Sequence, residues 1–339
     1  MAEFAQKIIL WQRRHGRHGL PWQGTRDPYR IWLAEIMLQQ TQVAAVIPYY
    51  QRFLARFPAI EDLAAASEDE VLRLWSGLGY YARGRNLLRA AREVARLGRF
   101  PDTPEDIVAL PGVGPSTAAA IAAFAFGRRA AILDGNVKRV LARRFGVEGE
   151  RRQWDLAALQ LPRRGIETYT QGLMDLGATV CTRTKPNCDQ CPVAQECVAR
   201  RSNRISKLPA PRKRRPLPLK RATWLILVRR GAVLLERRPA AGIWGGLWAF
   251  PECESSQTKD YCRAHLSSEI SSVRLLSRLE HGFTHFRLQV RPLLCTVRRV
   301  LPTAQAPGRI WLDADEALRA AVPVPVRTLL SGLLRDELM

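Results

Sequence analysis

Up to about residue 200 the apolar positions recur at helical spacing. The stretches AIEDLAAASEDEVLRLWSGLG (59–79) and NLLRAAREVARLG (86–98) place apolar residues three and four apart and stop at glycines, which predicts amphipathic helices. One run departs from that pattern. In PYRIWLAEIMLQQTQ (28–42) every residue from Ile31 to Leu38 is apolar except Glu35. After residue 221 the period changes. ATWLILVRRGAVLLERRP (222–239) reads as two strands around an Arg-Arg-Gly turn, and FRLQVRPLLCTVRRV (286–300) and RIWL (309–312) as further strands. Helices are expected near 257–270, 313–321 and 325–337. An all-helical half followed by a mixed half predicts two domains, as does a length of 339 residues. The boundaries are 1–200 for the helical domain and 222–339 for the α/β domain. Between them RSNRISKLPAPRKRRPLPLKR (201–221), proline-rich, basic and without an acid, reads as a semi-extended linker.

Charge narrows the class of partner. Lys and Arg number 53 against 31 Asp and Glu, a net +22, and a chain so basic is expected to meet a polyanion, nucleic acid first. The opening MAEFAQKIILWQRRHG is not a secretory signal, and no stretch approaches the ~20 apolar residues of a membrane span. A cytoplasmic protein with no membrane partner is expected, in which thiols stay reduced and clustered cysteines hold metal.

Cys181, Cys188, Cys191 and Cys197 form a C-x6-C-x2-C-x5-C run, which is a metal site. Zinc is the default for four cysteines, but zinc ribbons come as two separated C-x2-C pairs. Three unequal gaps in one compact loop suit an iron–sulfur cluster better. Cys253, Cys262 and Cys295 show no such grouping and read as ordinary thiols.

Two stretches carry candidate chemistry. In LPGVGPSTAAAIAAF (110–124), Gly112 and Gly114 leave backbone N–H groups of a turn facing outward at a helix start, a phosphate-binding arrangement that a plain glycine connection also explains. Glu35, among Ile31, Trp32 and Leu38 on its helix, either meets a cation or rises in pKa by desolvation and becomes a general acid. Asp134 precedes a helix in AILDGNVKRVLARRF; it either caps that helix, or Asn136 caps it and leaves Asp134 free to face a site.

In this order and spacing, LPGVGPSTA (110–118), ILDGNVKRVL (132–141) and the four cysteines resemble the helix–hairpin–helix DNA glycosylases related to endonuclease III. LPW (20–22), WLAEIMLQQTQV (32–43), LWSGLGYYARGRN (74–86) and the second domain narrow the resemblance, over nearly the whole chain, to the adenine-specific (MutY-type) family. The resemblance implies an all-α glycosylase domain of two helical subdomains with the site between them and a [4Fe–4S] cluster loop, then a Nudix-like α/β domain. It implies a monomeric, nucleoid-associated, bacterial-type repair enzyme that removes adenine opposite 8-oxoguanine or guanine in double-stranded DNA; its protein partners are not implied. The base must be flipped out. Glu35 would protonate the departing adenine, Asp134 would stabilise the oxocarbenium-like sugar or a covalent adduct, and Asn136 would orient groups around it. Trp22, Gln23, Leu38 and Ser116 would line the adenine pocket. Gln40 and Tyr80 would wedge into the duplex, with Tyr81 left for packing, and Gly112, Val113, Gly114, Arg183 and Lys185 would contact DNA. The cysteines would ligate the cluster, which performs no hydrolysis.

Ser116 occupies the position where related glycosylase/lyases carry a Schiff-base lysine, so the resemblance implies a monofunctional enzyme that leaves an abasic site. In the second domain AGIWGGLWAFPE (241–252) resembles a Nudix opening, but TKDYCRAHLSSEI (258–270) lacks the grouped glutamates that hold Mg²⁺. A recognition module is therefore expected. Phe283, Thr284 and His285 stand where the family's Phe-Ser-His loop senses 8-oxoguanine, threonine replacing serine. A pyrimidine-specific lyase, a non-catalytic iron–sulfur DNA binder and an active Nudix triphosphatase are disfavoured by Ser116, by the Glu35 and Asp134 pair, and by the missing glutamates.

Overall fold

The structure, a computed structural model, describes residues 2–210, 216–254, 257–301 and 307–335. Its helices begin with α1 (Ala2–His15), α2 (Pro28–Leu38), α3 (Val43–Arg56), α4 (Ile60–Ala65), α5 (Glu68–Trp75) and α6 (Ala82–Leu97). The helical half continues through α7 (Pro104–Ile107), α8 (Pro115–Phe126), α9 (Gly135–Phe145), α10 (Glu150–Leu159), α11 (Ile166–Asp175) and α12 (Val198–Arg201). The chain divides by contact into two units, 1–65 with 86–213, and 66–85 with 214–339.

In the first unit, α2 is held at its start by Asp27, whose carboxylate accepts from the N–H groups of Tyr29 and Arg30, with Pro28 at the first helical position. Trp32, Leu33 and Met37 are fully buried. Alanine-rich α8 starts at Pro115 and ends on Gly127 in the left-handed conformation; its small side chains let it pack inside the unit. The core joins α1, α8, α9 and α11, with Ile8, Ala123, Val137 and Leu141 fully buried. One turn of π-helix (Leu176–Val180) follows α11 and delivers the chain to Cys181.

In the second unit a seven-stranded mixed sheet has the order β3–β2–β1–β6–β4, with β5 also on β6 and β7 also on β2. The strands are β1 (Leu219–Arg229), β2 (Ala232–Arg237), β3 (Trp248–Ala249), β4 (Ser268–Leu275), β5 (Leu279–Gly282), β6 (Arg287–Val300) and β7 (Arg309–Asp313). β1 and β2 form the expected hairpin, Arg229 paired with Ala232, and β1 runs parallel to β6. Pro292 falls where the antiparallel partner of β6 changes from β5 to β4, a junction that tolerates a residue without a donor. Helices α13 (Thr258–Leu266), α14 (Ala314–Arg319) and α15 (Val324–Arg335) complete the unit.

Two boundaries differ from the sequence reading. The helix expected to reach residue 270 stops at Leu266, because Ser267 turns left-handed (φ +48°) and β4 begins at once. Of the stretch read as linker, 211–215 lie outside the described residues, as do 336 and 337 of the last helix, and β1 has already begun at Leu219.

Candidate active site

Glu35 and Asp134, 99 positions apart in sequence, line one cavity of about 1210 Å³ in the first unit. Leu38, Gln40, Ser116, Asn136 and Arg183 line it too, and Trp22 lines both this cavity and a smaller one of about 430 Å³ that also reaches Glu35. The smaller volume lies within, and the larger just above, the roughly 300–1,000 Å³ usual for small-molecule clefts.

Of the alternatives open for Glu35, the structure takes the desolvated one. Its carboxyl is pushed up to about 8, first by burial and then by the negative charge of Asp134; no cation is among the influences on it. Asp134 is also raised by burial, against the N–H groups of Val137 and Asn136 and the charges of Arg139 and Lys138. At neutral pH Glu35 therefore holds a proton.

The choice between Asp134 and Asn136 as the cap of α9 falls to Asp134, whose Oδ1 accepts from Val137 N at 2.7 Å. Asn136 lies one residue inside the helix, where its Oδ1 accepts from Arg139 Nη2 at 2.8 Å. Capping does not remove Asp134 from the site, because the start of α9 is itself part of the cavity wall. The approach is close: a Cβ on Gly177, in the π-turn, would lie 2.5 Å from Asn136 Cβ.

Ser116 Oγ accepts from Leu133 N at 2.9 Å, tying the start of α8 to the segment just before Asp134. Trp22 is buried edge-on against Tyr50 at 5.4 Å. The Gln23 amide braces its own loop, accepting from Leu20 N and donating to Arg17 O, at the rim of the smaller cavity. In the turn before α8 only Gly112 is sterically required: its φ is +80° and a Cβ would lie 2.7 Å from Asn86 Cβ. Gly114 has open space around it and lines the cavity. Val113 is buried and its N–H is bonded to Leu110 O. Gln40 is exposed with φ +58°, while Arg183 and Lys185 are exposed beyond Cys181.

Sequence reasoning missed three supports. Gln39 donates to Gly112 O and Thr117 Oγ1, joining the end of α2 to the glycine turn. Asp175, fully buried, accepts from Arg17 N and Nε and from Gln171 Nε2. Its signal was the one used for Glu35, a lone acid in an apolar run. Gly177 gave no signal.

The four cysteines of the 181–197 loop are partly exposed free thiols that feel one another electrostatically: Cys191 is raised by burial, then further by Cys181, Cys197 and Cys188. Among the described residues, no three His, Cys, Asp or Glu side chains are grouped to hold a metal ion. Cationic side chains also reach the loop. Buried Arg143 places Nη1 3.5 Å from Cys181 Sγ while donating to the carbonyls of Thr182, Arg183 and Leu208, and Arg139 donates to Cys181 O.

In the second unit, Phe283, Thr284 and His285 form the loop between β5 and β6. Phe283 N donates to Phe286 O, the two rings stack at 4.3 Å, and Thr284 and His285 are exposed. Tyr80 is also exposed and left-handed (φ +49°), whereas Tyr81 is buried.

Comparison with known proteins identifies the family. Residues 33–159 match the HhH-GPD superfamily of base excision DNA repair proteins and residues 222–332 the NUDIX domain. The adenine DNA glycosylase of Buchnera aphidicola subsp. Baizongia pistaciae is 33% identical over 97% of this chain and 96% of its own. That of Homo sapiens is 33% identical over 96% of this chain and 72% of its own. Among solved structures, a thermostable thymine-DNA glycosylase is 32% identical, with a TM-score of 0.55 over 59% of this chain and 95% of that one. The chain belongs to the adenine DNA glycosylase family, DNA glycosylases of base excision repair that join a helix–hairpin–helix domain to a Nudix-like one.

Proposed function

We propose that the enzyme hydrolyses the N-glycosidic bond of adenine mispaired with 8-oxoguanine or guanine in duplex DNA and leaves an abasic site, with little or no strand cleavage. The observation that carries this reading is Glu35 and Asp134 on the walls of one cavity, the first holding its proton up to about pH 8. The flipped adenine enters beside Trp22, and Glu35 donates its proton to a ring nitrogen as the C–N bond breaks. The bonding electrons leave with the neutral base, and positive charge develops on the sugar. Asp134, fixed by its cap, stabilises that charge, directly or as a transient adduct. Water then adds to the sugar carbon, and the Glu35 carboxylate takes its proton, restoring the acid. Ser116 offers no amine for a Schiff base.

Gly112, Val113 and Gly114 shape a turn that receives the DNA backbone, and Arg183 and Lys185 add phosphate contacts. Gln40 and Tyr80 insert into the duplex, and Phe283, Thr284 and His285 read 8-oxoguanine. Cys181, Cys188, Cys191 and Cys197 hold a [4Fe–4S] cluster, supported by their spacing, their mutual influence and the Arg143 guanidinium. A cluster held there would order the loop and would supply no hydrolytic chemistry.

The test is single-turnover base release from duplexes with A opposite 8-oxoguanine, G or T, with borohydride trapping alongside. Fast release opposite 8-oxoguanine, slower opposite G, none opposite T and no efficient trap are expected. Binding to all three without release would overturn the catalytic reading.

A further inference from the structure

Residues 66–85 precede the glycine turn in sequence, yet they belong by contact with the C-terminal unit. The contacts are specific. Ser76 Oγ donates to Val322 O at 2.6 Å and accepts from Arg327 Nη2 at 3.1 Å, while Arg327 Nη1 holds Leu318 O at 2.8 Å. Arg237 Nη2 lies 3.1 Å from Asp69 Oδ1. Arg85 donates to Gly245 O, and a Cβ on Gly246 (φ +78°) would lie 2.8 Å from Glu68 Oε1.

The same segment carries Tyr80 on a braced turn. Trp75 Nε1 and Arg83 Nη2 both donate to Gly79 O, and the Arg83 guanidinium lies 5.4 Å from the Tyr80 ring. On the other side of the Arg85 contact, Trp244 precedes Gly245 with φ +54° and packs on Phe283 at 5.3 Å. One short run, 244–246, thus touches the Phe283 loop through Trp244 and the Tyr80 segment through Gly245 and Gly246.

We infer that Arg85 and Arg327 are positioning residues that mount the Tyr80 turn on the C-terminal unit, so that the Phe283 loop and Tyr80 respond together to the base opposite adenine. This rests on the proposed roles of Tyr80 and the Phe283 loop. A wedge carried by the lesion-reading domain is set only when that domain is seated, which makes preference for 8-oxoguanine a property of the joint. Arginine suits this work because one guanidinium holds two acceptors on different elements, as Arg327 does with Ser76 and Leu318.

The experiment measures single-turnover adenine release opposite 8-oxoguanine and opposite G by the full-length enzyme. R85A and R327A are expected to lower the ratio of the two rates by roughly tenfold, chiefly through the 8-oxoguanine substrate, as for loss of one or two charge-assisted hydrogen bonds. R85K, which can still reach one carbonyl, is expected to recover part of the ratio. In a double-mutant cycle, R85A combined with F283A should lose little more than F283A alone. Equal loss on both substrates, or multiplicative loss in the cycle, would overturn the inference. Y80A and F283A serve as controls for the underlying reading: if neither lowers the ratio, that reading fails; if both do and R85A does not, the joint fails alone.

Discussion

At the scale of single residues, the site turns on two carboxyl groups with different supports. Asp134→Asn separates two roles, because asparagine caps a helix about as well as aspartate but carries no charge. The variant is expected to keep its stability within about 0.5 kcal/mol and to lose roughly 10²–10³ in base release. Equal losses of stability and rate in denaturation and single-turnover assays would make Asp134 a cap only. Glu35 carries a pH signature. Its folded pKa, about 8, lies above the 4.5 of an ordinary glutamate, so the folded protein retains a proton that the unfolded chain releases. Stability is therefore lost as pH rises from about 4.5 to about 8 and levels off above that. Activity should fall above about pH 8, where the acid is spent. Glu35→Gln is expected to abolish base release, keep DNA binding, and flatten the fall of melting temperature across that window. A melting profile unchanged from the wild type would contradict the desolvated acid.

At the scale of elements, the approach of the π-turn to α9 decides where Asp134 points. A methyl on Gly177 would lie 2.5 Å from Asn136 Cβ and 3.1 Å from Asn136 backbone atoms, so either the π-turn or the turn of α9 that carries Asp134 must shift. Gly177→Ala is expected to lower base release by roughly 10²-fold, as small misplacements of reacting groups do, while duplex affinity stays within a few-fold. An unaffected rate would mean that the π-turn yields and α9 does not. No pattern in the sequence announced this contact, since it depends on how two helices cross. Glu35 in its apolar run and the Arg229–Ala232 hairpin were legible, because burial and period are written locally. Asp175 shows the limit of the same reasoning. It is a lone acid in an apolar run like Glu35, but Arg17 comes to it from beyond α1 and makes it a buried ion pair, with Gln171 one turn back on α11 donating as well. Which outcome holds depends on the neighbours that tertiary structure supplies. Likewise β4 and β5 were hidden because their exposed faces blur the alternation, and the cap of α9 because aspartate and asparagine stand two positions apart.

At the scale of the whole molecule, the +22 charge and the grouping of 66–85 with the C-terminal unit govern behaviour that no single site sets. Affinity for duplex DNA should fall steeply with salt, by about 0.9 log units per log of salt for each phosphate neutralised. Arg183→Ala and Lys185→Ala should each reduce that slope by roughly one; unchanged slopes would remove the cysteine loop from the interface. Cutting the chain near residue 215 tests the division of labour. It removes Val322, Arg327 and Gly245, the partners of Ser76 and Arg85, while Glu35, Asp134 and their cavity lie wholly in the retained unit. The truncated protein is expected to release adenine opposite G within about tenfold of the intact rate, as for a site whose acid and capped carboxylate keep their own supports. Its preference for 8-oxoguanine should fall further than that. Equal loss on both substrates would mean that the C-terminal unit serves chiefly to hold 66–85 in place, and lesion reading would have to be sought in the helical unit.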